Sequence, residues 1–363
     1  MRRFCCIFYI AVLLIGCKSK NRSASGTENS RGIESDTMPL KPLVVTDTVF
    51  DDSDDPAIWI NHANPAASLI LGTDKHDSDG GVYVFDLAGK IDSGRTVRGL
   101  RRMNNVDIAY GFQWNDSLVD IAVATERGAN TIRVFSLPDM RLIDSGGLPV
   151  FEGETERDPM GVALYKQPST GSIYAIVSRK SGPADGYLFQ YMLKQDSKGR
   201  LVAELVRKFG KYSGKKEIES VAVDQALGLV YYSDEQTGIR KYFADPDSAD
   251  RELALFGAGE FGADNEGISF YNLTDSTGYI LVSDQGRNRF NIYLRQGDPN
   301  NPNSHSLVAS IPVEAMESDG SDTNSFNFPG FPGGLFVAMS TDKTFHFYSW
   351  KQIAEKAGLQ IRK

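Results

Sequence analysis

Six copies of one strand–turn–strand pattern, spaced about 50 residues apart, together with a near-absence of helical periodicity, predict an all-β fold, a six-bladed β-propeller. In each copy a run ending in charged or polar residues is followed, after a turn containing Gly or Asn, by a second run that ends in an aromatic. The copies are LILGTDK then GVYVF, VDIAVATER then NTIRVF, IYAIVSRK then GYLFQY, LVYYSDE then GIRKY, YILVSDQ then FNIY, and LFVAMST then TFHF. Their closing aromatics, Phe85, Phe135, Tyr191, Tyr242, Tyr293 and Phe347, lie 50, 56, 51, 51 and 54 residues apart. One such repeat is a sheet that buries both faces only between neighbours. A short helix is expected only at KQIAEKAG near the C-terminus.

The N-terminus has a different character. Met1-Arg2-Arg3 precedes FCCIFYIAVLLIG, an apolar stretch of about a dozen residues, which has the proportions of a secretory signal rather than of a spanning helix of roughly 20. It ends in Leu14-Ile15-Gly16-Cys17, similar to the bacterial lipobox, which implies cleavage after residue 16 and lipid on Cys17. Residues 17–40 read as the lipidated cysteine and a polar, Ser/Gly-rich tether, and residues 41–363 as the propeller. The expectation is an exported protein anchored by lipid to a bacterial membrane, on an outer-membrane, periplasmic or surface face. It would touch the membrane only through that anchor, as a monomer.

Composition narrows the chemistry. The 363 residues are 41% hydrophobic and 24% charged, enough for a sizeable core. Against 39 Lys and Arg stand 47 Asp and Glu, a net charge of −8, which argues against nucleic acid as a partner. The three cysteines, Cys5, Cys6 and Cys17, all precede the body, so it has no disulfide, cysteine nucleophile or thiolate metal site. The four histidines lack the paired spacing of a zinc site.

Within the body, a further strand opens five of the repeats: Asp55-PAIWI, Asn105-VDIAY, Met160-GVALY, Glu219-SVAVD and Glu266-GISFY. If it pairs with the next strand as an antiparallel hairpin, its start and the end of its partner lie at one edge. One rim then receives Asp55, Glu219, Glu235 and Glu266 beside the cations Lys75, Arg127 and Lys180, and a slip of one residue would turn any of them away. Asp54, Asp55, Glu219, Glu235, Asp264, Glu266 and Asp319 are too many carboxylates for a single acid–base pair, and several calcium ions, each taking six to eight oxygens, suit that surplus. The three cations point to an anionic ligand, phosphate being the natural one.

At these residues the chain resembles the β-propeller phytases, bacterial calcium-dependent enzymes. The likeness runs through DDPAIW, GTDK, NNVDI, ATER-GANTI, SRKSG, the Glu219 before VAVD, SDE, DNEGIS, SDQG, ESDG and GLFVA. It implies hydrolysis of phytate to lower inositol phosphates, with metal-activated water attacking and no phosphoenzyme. By the same resemblance Lys75, Arg127, Lys180 and Glu219 are catalytic, and Lys75, His76, Arg127, Met160, Lys180 and Glu235 bind substrate. Asp55, Pro56, Val106, Glu219, Glu235, Asp264, Glu266 and Asp319 hold calcium, with Asn105 and Val106 near a structural ion. Three positions depart from the family pattern: Met160 replaces a Tyr, His76 a Lys and Asn324 an Asp. The rival readings are a six-bladed calcium lactonase and a lipid-anchored binding module without catalysis.

Overall fold

The structure, a computed structural model, describes residues 33–34 and 38–363, so the signal, Cys17 and most of the tether lie outside the described residues. Its strands form six sheets that succeed one another around a central channel, which is the predicted propeller. Blade 1 is built from Ser53–Trp59, Leu69–Asp74, Gly80–Phe85 and Val97–Leu100. Blade 2 comprises Met103–Trp114, Ser117–Glu126 and Thr131–Leu137, the last flanked by two short pieces, Arg141–Leu142 and Leu148–Pro149. Blade 3 runs through Pro159–Lys166, Ile173–Arg179, Asp185–Gln195 and Leu201–Lys211, and blade 4 through Val221–Asp224, Leu229–Asp234, Gly238–Phe243 and Ala254–Phe256.

Blade 5 holds Asn265–Asn272, Gly278–Asp284, Arg289–Leu294 and Leu307–Pro312, with Ile33–Glu34 added in parallel at its outer edge. In blade 6, Ser321–Asn324, Leu335–Ser340 and Thr344–Ser349 are completed by Val44–Val45 from the start of the chain. That seam is held by Leu43 N–H donating to Phe347 O at 2.8 Å and Phe345 N–H donating to Thr46 Oγ1 at 2.9 Å. The expected helix is Trp350–Ala357, opened by a capping box between Ser349 and Gln352 and ended at Gly358, whose φ of 66° favours glycine. Trp350 stacks on Tyr271 of blade 5 at 3.7 Å between ring centroids. Among the described residues no helix is long and apolar enough to cross a membrane.

The repeated aromatics hold the ring together. Six apolar clusters each span one pair of neighbouring blades, and Phe85, Phe135, Tyr191, Tyr242 and Tyr293 each pack against the blade before their own. In blade 6 the register makes Tyr348, not Phe347, their counterpart: Tyr348 opposes Phe336 as Phe85 opposes Ile70, and it fills the interface with blade 5. Phe347 faces blade 1 instead. Fully burying one such side chain contributes about 1.5–3 kcal/mol.

The polar ends of the second strands divide their work by position. The first hydroxyl staples the next blade: Thr125 donates to Met160 O, Ser178 to Ile218 O, Ser233 to Glu266 O and Ser283 to Ser318 O, at 2.5–2.7 Å. The next residue turns into its own blade and in blades 1, 2, 4 and 5 is a buried acid that accepts backbone N–H groups of the incoming loop, as Asp74 does from Asp51 and Asp52. The third residue emerges on the rim.

Candidate active site

Ladder pairs of Ser53 with Asp74, Met103 with Glu126, Pro159 with Arg179 and Asn265 with Asp284 align the blades, and in each the register then shifts before pairing resumes at Pro56, Val106, Val162 and Ile268. This bulge sets the rim. The residues level with Glu219 and Glu266 are Asp54, Asn104, Met160 and Asp319, so the register differs by one from the sequence reading at blades 1 and 2. Asp55 and Asn105 lie one step further in and line the channel with Pro56 and Val106, a cavity of about 340 Å³ bordered by the first strands of all six blades. Asp55 is corrected accordingly: it is not a rim residue, and its Oδ2 accepts from Val106 N–H of the next blade at 3.0 Å. The bulge is a backbone event without a side-chain signature, so hairpin counting overlooks it.

Close packing fixes this geometry. A Cβ on Gly161 would lie 2.1 Å from Glu219 O, and one on Gly320 would lie 2.2 Å from Asp55 Oδ1. Only glycine lets the blades approach so closely beside the acidic ring.

Two acidic groups occupy that ring. In the first, carboxylate oxygens of Glu219, Glu235 and Glu266 lie within 4.8 Å of one another. Glu219 Oε1 accepts from Asn104 Nδ2 at 2.8 Å, whereas Glu235 Oε1 and Glu266 Oε2 are buried without a hydrogen-bond partner. In the second, Lys75 Nζ lies 2.8 Å from both Asp54 Oδ1 and Asp319 Oδ2, and Gln285 Nε2 donates to Asp319 Oδ1 at 2.6 Å. Burial pushes Glu235 up to about 7 and Asp54 up to about 6. It also raises Glu219 and Glu266 well above the carboxylate range, helped by neighbouring acids. Burial works against the Lys75 ammonium, but the charges of Asp54, Asp319, Glu219 and Asp52 outweigh it and raise its pKa.

The remaining predicted residues fall in three places. Arg127 and Lys180 occupy the same strand-end position as Lys75: all three donate a backbone N–H to the loop entering their blade, at Arg102 O, Asp158 O and Asp52 O. Lys180 Nζ pairs with Glu217 at 3.0 Å, and the Arg127 guanidinium has no ion pair among the described residues. Asp264 joins the first acidic group through Lys216, whose Nζ lies 2.5 Å from its Oδ2. His76 is taken up by its own loop, its Nδ1 accepting from Asp79 N–H at 2.9 Å and its ring edge-on to Phe50. Met160 is 1% exposed, so the thioether expected to contact substrate offers it no surface. Asn324 Oδ1 accepts from Phe326 N–H and caps the following turn rather than joining the ring.

Sequence reasoning missed Asn104, Gln285 and Lys216. The first two are recoverable once the blades are aligned by their ladder pairs. Lys216 stands in the charged loop SGKKEIES, where nothing marks it out from its neighbours.

The donor set is all oxygen, partly orphaned, partly buried and in excess over nearby cations, and it fits a hard divalent cation. Comparison with known proteins decides the family: the Phytase family model matches residues 15–360. The chain belongs to the phytase family. A 3-phytase of Bacillus subtilis (strain 168) is 30% identical over 327 residues, covering 85% of this chain and 82% of that protein. Among solved structures, Kuenenia stuttgartiensis hydrazine synthase has a TM-score of 0.47 over 81% of this chain and 82% of its own, and the Dos1 propeller 0.42 over 82% and 68%. Both are 12% identical. As a phytase, the protein is a phosphoric monoester hydrolase, and the lactonase and binding-module readings fall away.

Proposed function

We propose that the protein hydrolyses phytate in a calcium-dependent reaction on the acidic rim, releasing lower inositol phosphates and phosphate. The observation that carries this reading is the Glu219–Glu235–Glu266 group, with Glu219 half-buried and Glu235 and Glu266 buried with orphaned oxygens, on the same rim as Lys75, Arg127 and Lys180. Glu219, Glu235, Asp264, Glu266 and Asp319 would hold calcium, and Asp55 with the Pro56 and Val106 backbone a further ion in the channel. Calcium held there would supply Lewis acidity toward a phosphoryl oxygen and would lower the pKa of a water molecule.

The chain's own groups bind and orient. Arg127, whose guanidinium has no ion pair among the described residues, presents a planar fork that matches two phosphate oxygens. Lys75 and Lys180 add point charges, Lys75 held in place by Asp54 and Asp319. Asn104 of blade 2, donating to Glu219 at the start of blade 4, fixes that carboxylate's orientation on the rim. The lipobox at Cys17 supports an exported, lipid-anchored protein, a reading tested by loss of fatty-acid labelling in Cys17→Ser. Phosphate release from phytate by the purified protein, with calcium and with excess chelator, tests the reaction. Release only with calcium is expected, and full turnover by calcium-free protein would overturn the calcium requirement.

A further inference from the structure

Lys216 belongs to none of the repeated rim positions. It stands in the loop between the outer strand of blade 3 and the inner strand of blade 4, and the loop is pinned just before it and at its own carbonyl. Ser213 N–H and Oγ donate to Asp234 at 3.0 and 2.6 Å, and the Tyr212 hydroxyl donates to the Lys216 carbonyl. From this fixed base the side chain reaches into the first acidic group. Its Nζ lies 2.9 Å from Glu235 Oε2, 2.5 Å from Asp264 Oδ2 and 3.9 Å from Glu266 Oε1. Two members of the triad thus share their oxygens with a lysine ammonium of this same chain.

A divalent cation ligated by Glu235 and Glu266 would have to sit within about 2.3–2.6 Å of their oxygens. The ammonium already lies against the same carboxylates, and two cations that close repel strongly at low dielectric. An ion taken up on the orphaned Glu235 Oε1 and Glu266 Oε2 would therefore compete with the ammonium for the charge of the same two carboxylates. The side chain is 37% exposed, and its four-carbon stem gives the ammonium a way out to solvent while the backbone stays put. Because it is tethered, its local concentration at the triad does not fall on dilution, unlike that of a free ion.

We propose that Lys216 is a built-in competitor for the metal: it neutralises the triad in the metal-free protein, is expelled when calcium binds, and thereby sets how much calcium loading requires. The inference rests on the calcium reading above. It makes metal entry an exchange of cations at a pre-formed site.

The test is calcium titration of the chelator-stripped wild type, Lys216→Met and Lys215→Met by calorimetry. Lys215 is the control for overall charge, since its ammonium lies on Gln236 O at 2.9 Å. We expect Lys216→Met to bind calcium at least tenfold more tightly than wild type, Lys215→Met to differ from wild type by less than threefold, and the chelated Lys216→Met protein to melt lower than chelated wild type. Should Lys216→Met not fold, Lys216→Gln takes its place. Amine acylation read by mass spectrometry gives a second measure on wild type alone: Lys216 should be protected in chelator and modified several-fold faster with calcium. Equal affinities in the three proteins, or acylation of Lys216 indifferent to calcium, would overturn the inference while leaving the calcium reading intact. Calcium binding by none of them would overturn both.

Discussion

Arg127 and Lys75 occupy the same place in two successive blades, yet their surroundings set them apart. Lys75 is 14% exposed and already clamped by Asp54 and Asp319, so its charge is largely compensated before any ligand arrives. Arg127 keeps its charge for the ligand. Arg127→Ala should therefore lower kcat/KM for phytate by ~100-fold, the size expected on losing a stabiliser of developing charge, with an unchanged melting temperature. Steady-state kinetics beside thermal melts checks both halves. Glu219→Gln keeps a side chain of the same shape that still offers Asn104 an oxygen, but it removes one charge from the triad. It should weaken calcium binding and cut turnover together, which a calcium titration followed by activity at saturating calcium will separate. At this scale the residue types were readable, since Glu219, Glu235 and Glu266 stand at strand ends that repeat. Lys216 was not, because its significance comes wholly from neighbours distant in sequence, such as Asp264, 48 residues on.

The element that repeats is a strand end with three assignments: a hydroxyl for the next blade, an inward residue for its own blade and a side chain for the rim. Thr125-Glu126-Arg127 and Ser233-Asp234-Glu235 follow the same grammar although their rim residues have opposite charge. The charged ends were visible in sequence as a repeat. Their division of labour was not, because it depends on which atom faces which blade. The aromatics were legible to within a residue, TFHF misleading by one because Phe347 and Tyr348 are both buried aromatics. Ser233→Ala tests the staple. It leaves Glu266 O unpaired in the interior, a loss of about 1–3 kcal/mol, which should appear as a lower melting temperature. Because Glu266 belongs to the triad, calcium affinity should fall as well; a variant indistinguishable from wild type in both would show the staple to be dispensable.

Across the whole ring, blades are joined through channel carboxylates that accept backbone N–H groups of a neighbour: Asp55 from Val106, Asp107 from Leu164 and Asp322 from Ile58. Burial pushes Asp107 up to about 7 and Asp322 up to about 6, from an ordinary value near 3.8. A carboxyl whose pKa is raised by folding stabilises the fold fully below its unfolded pKa and loses that contribution as pH rises through the folded one. In excess chelator the melting temperature should accordingly fall between pH 4 and pH 7, and Asp322→Asn should make that fall shallower. Thermal melts across the pH range decide it. The seam in blade 6 also has a consequence in time. Thr46 and Phe345, which bond across it, are 299 residues apart, so a chain made at about 5–20 residues per second waits roughly 15 s to a minute between synthesis of one partner and arrival of the other. Throughout that interval Val44 and Val45 have no strand to join, and the emerging polypeptide is an open arc rather than a ring. Closing the circle is reserved for the end of synthesis, when the last-made strand finds one of the earliest.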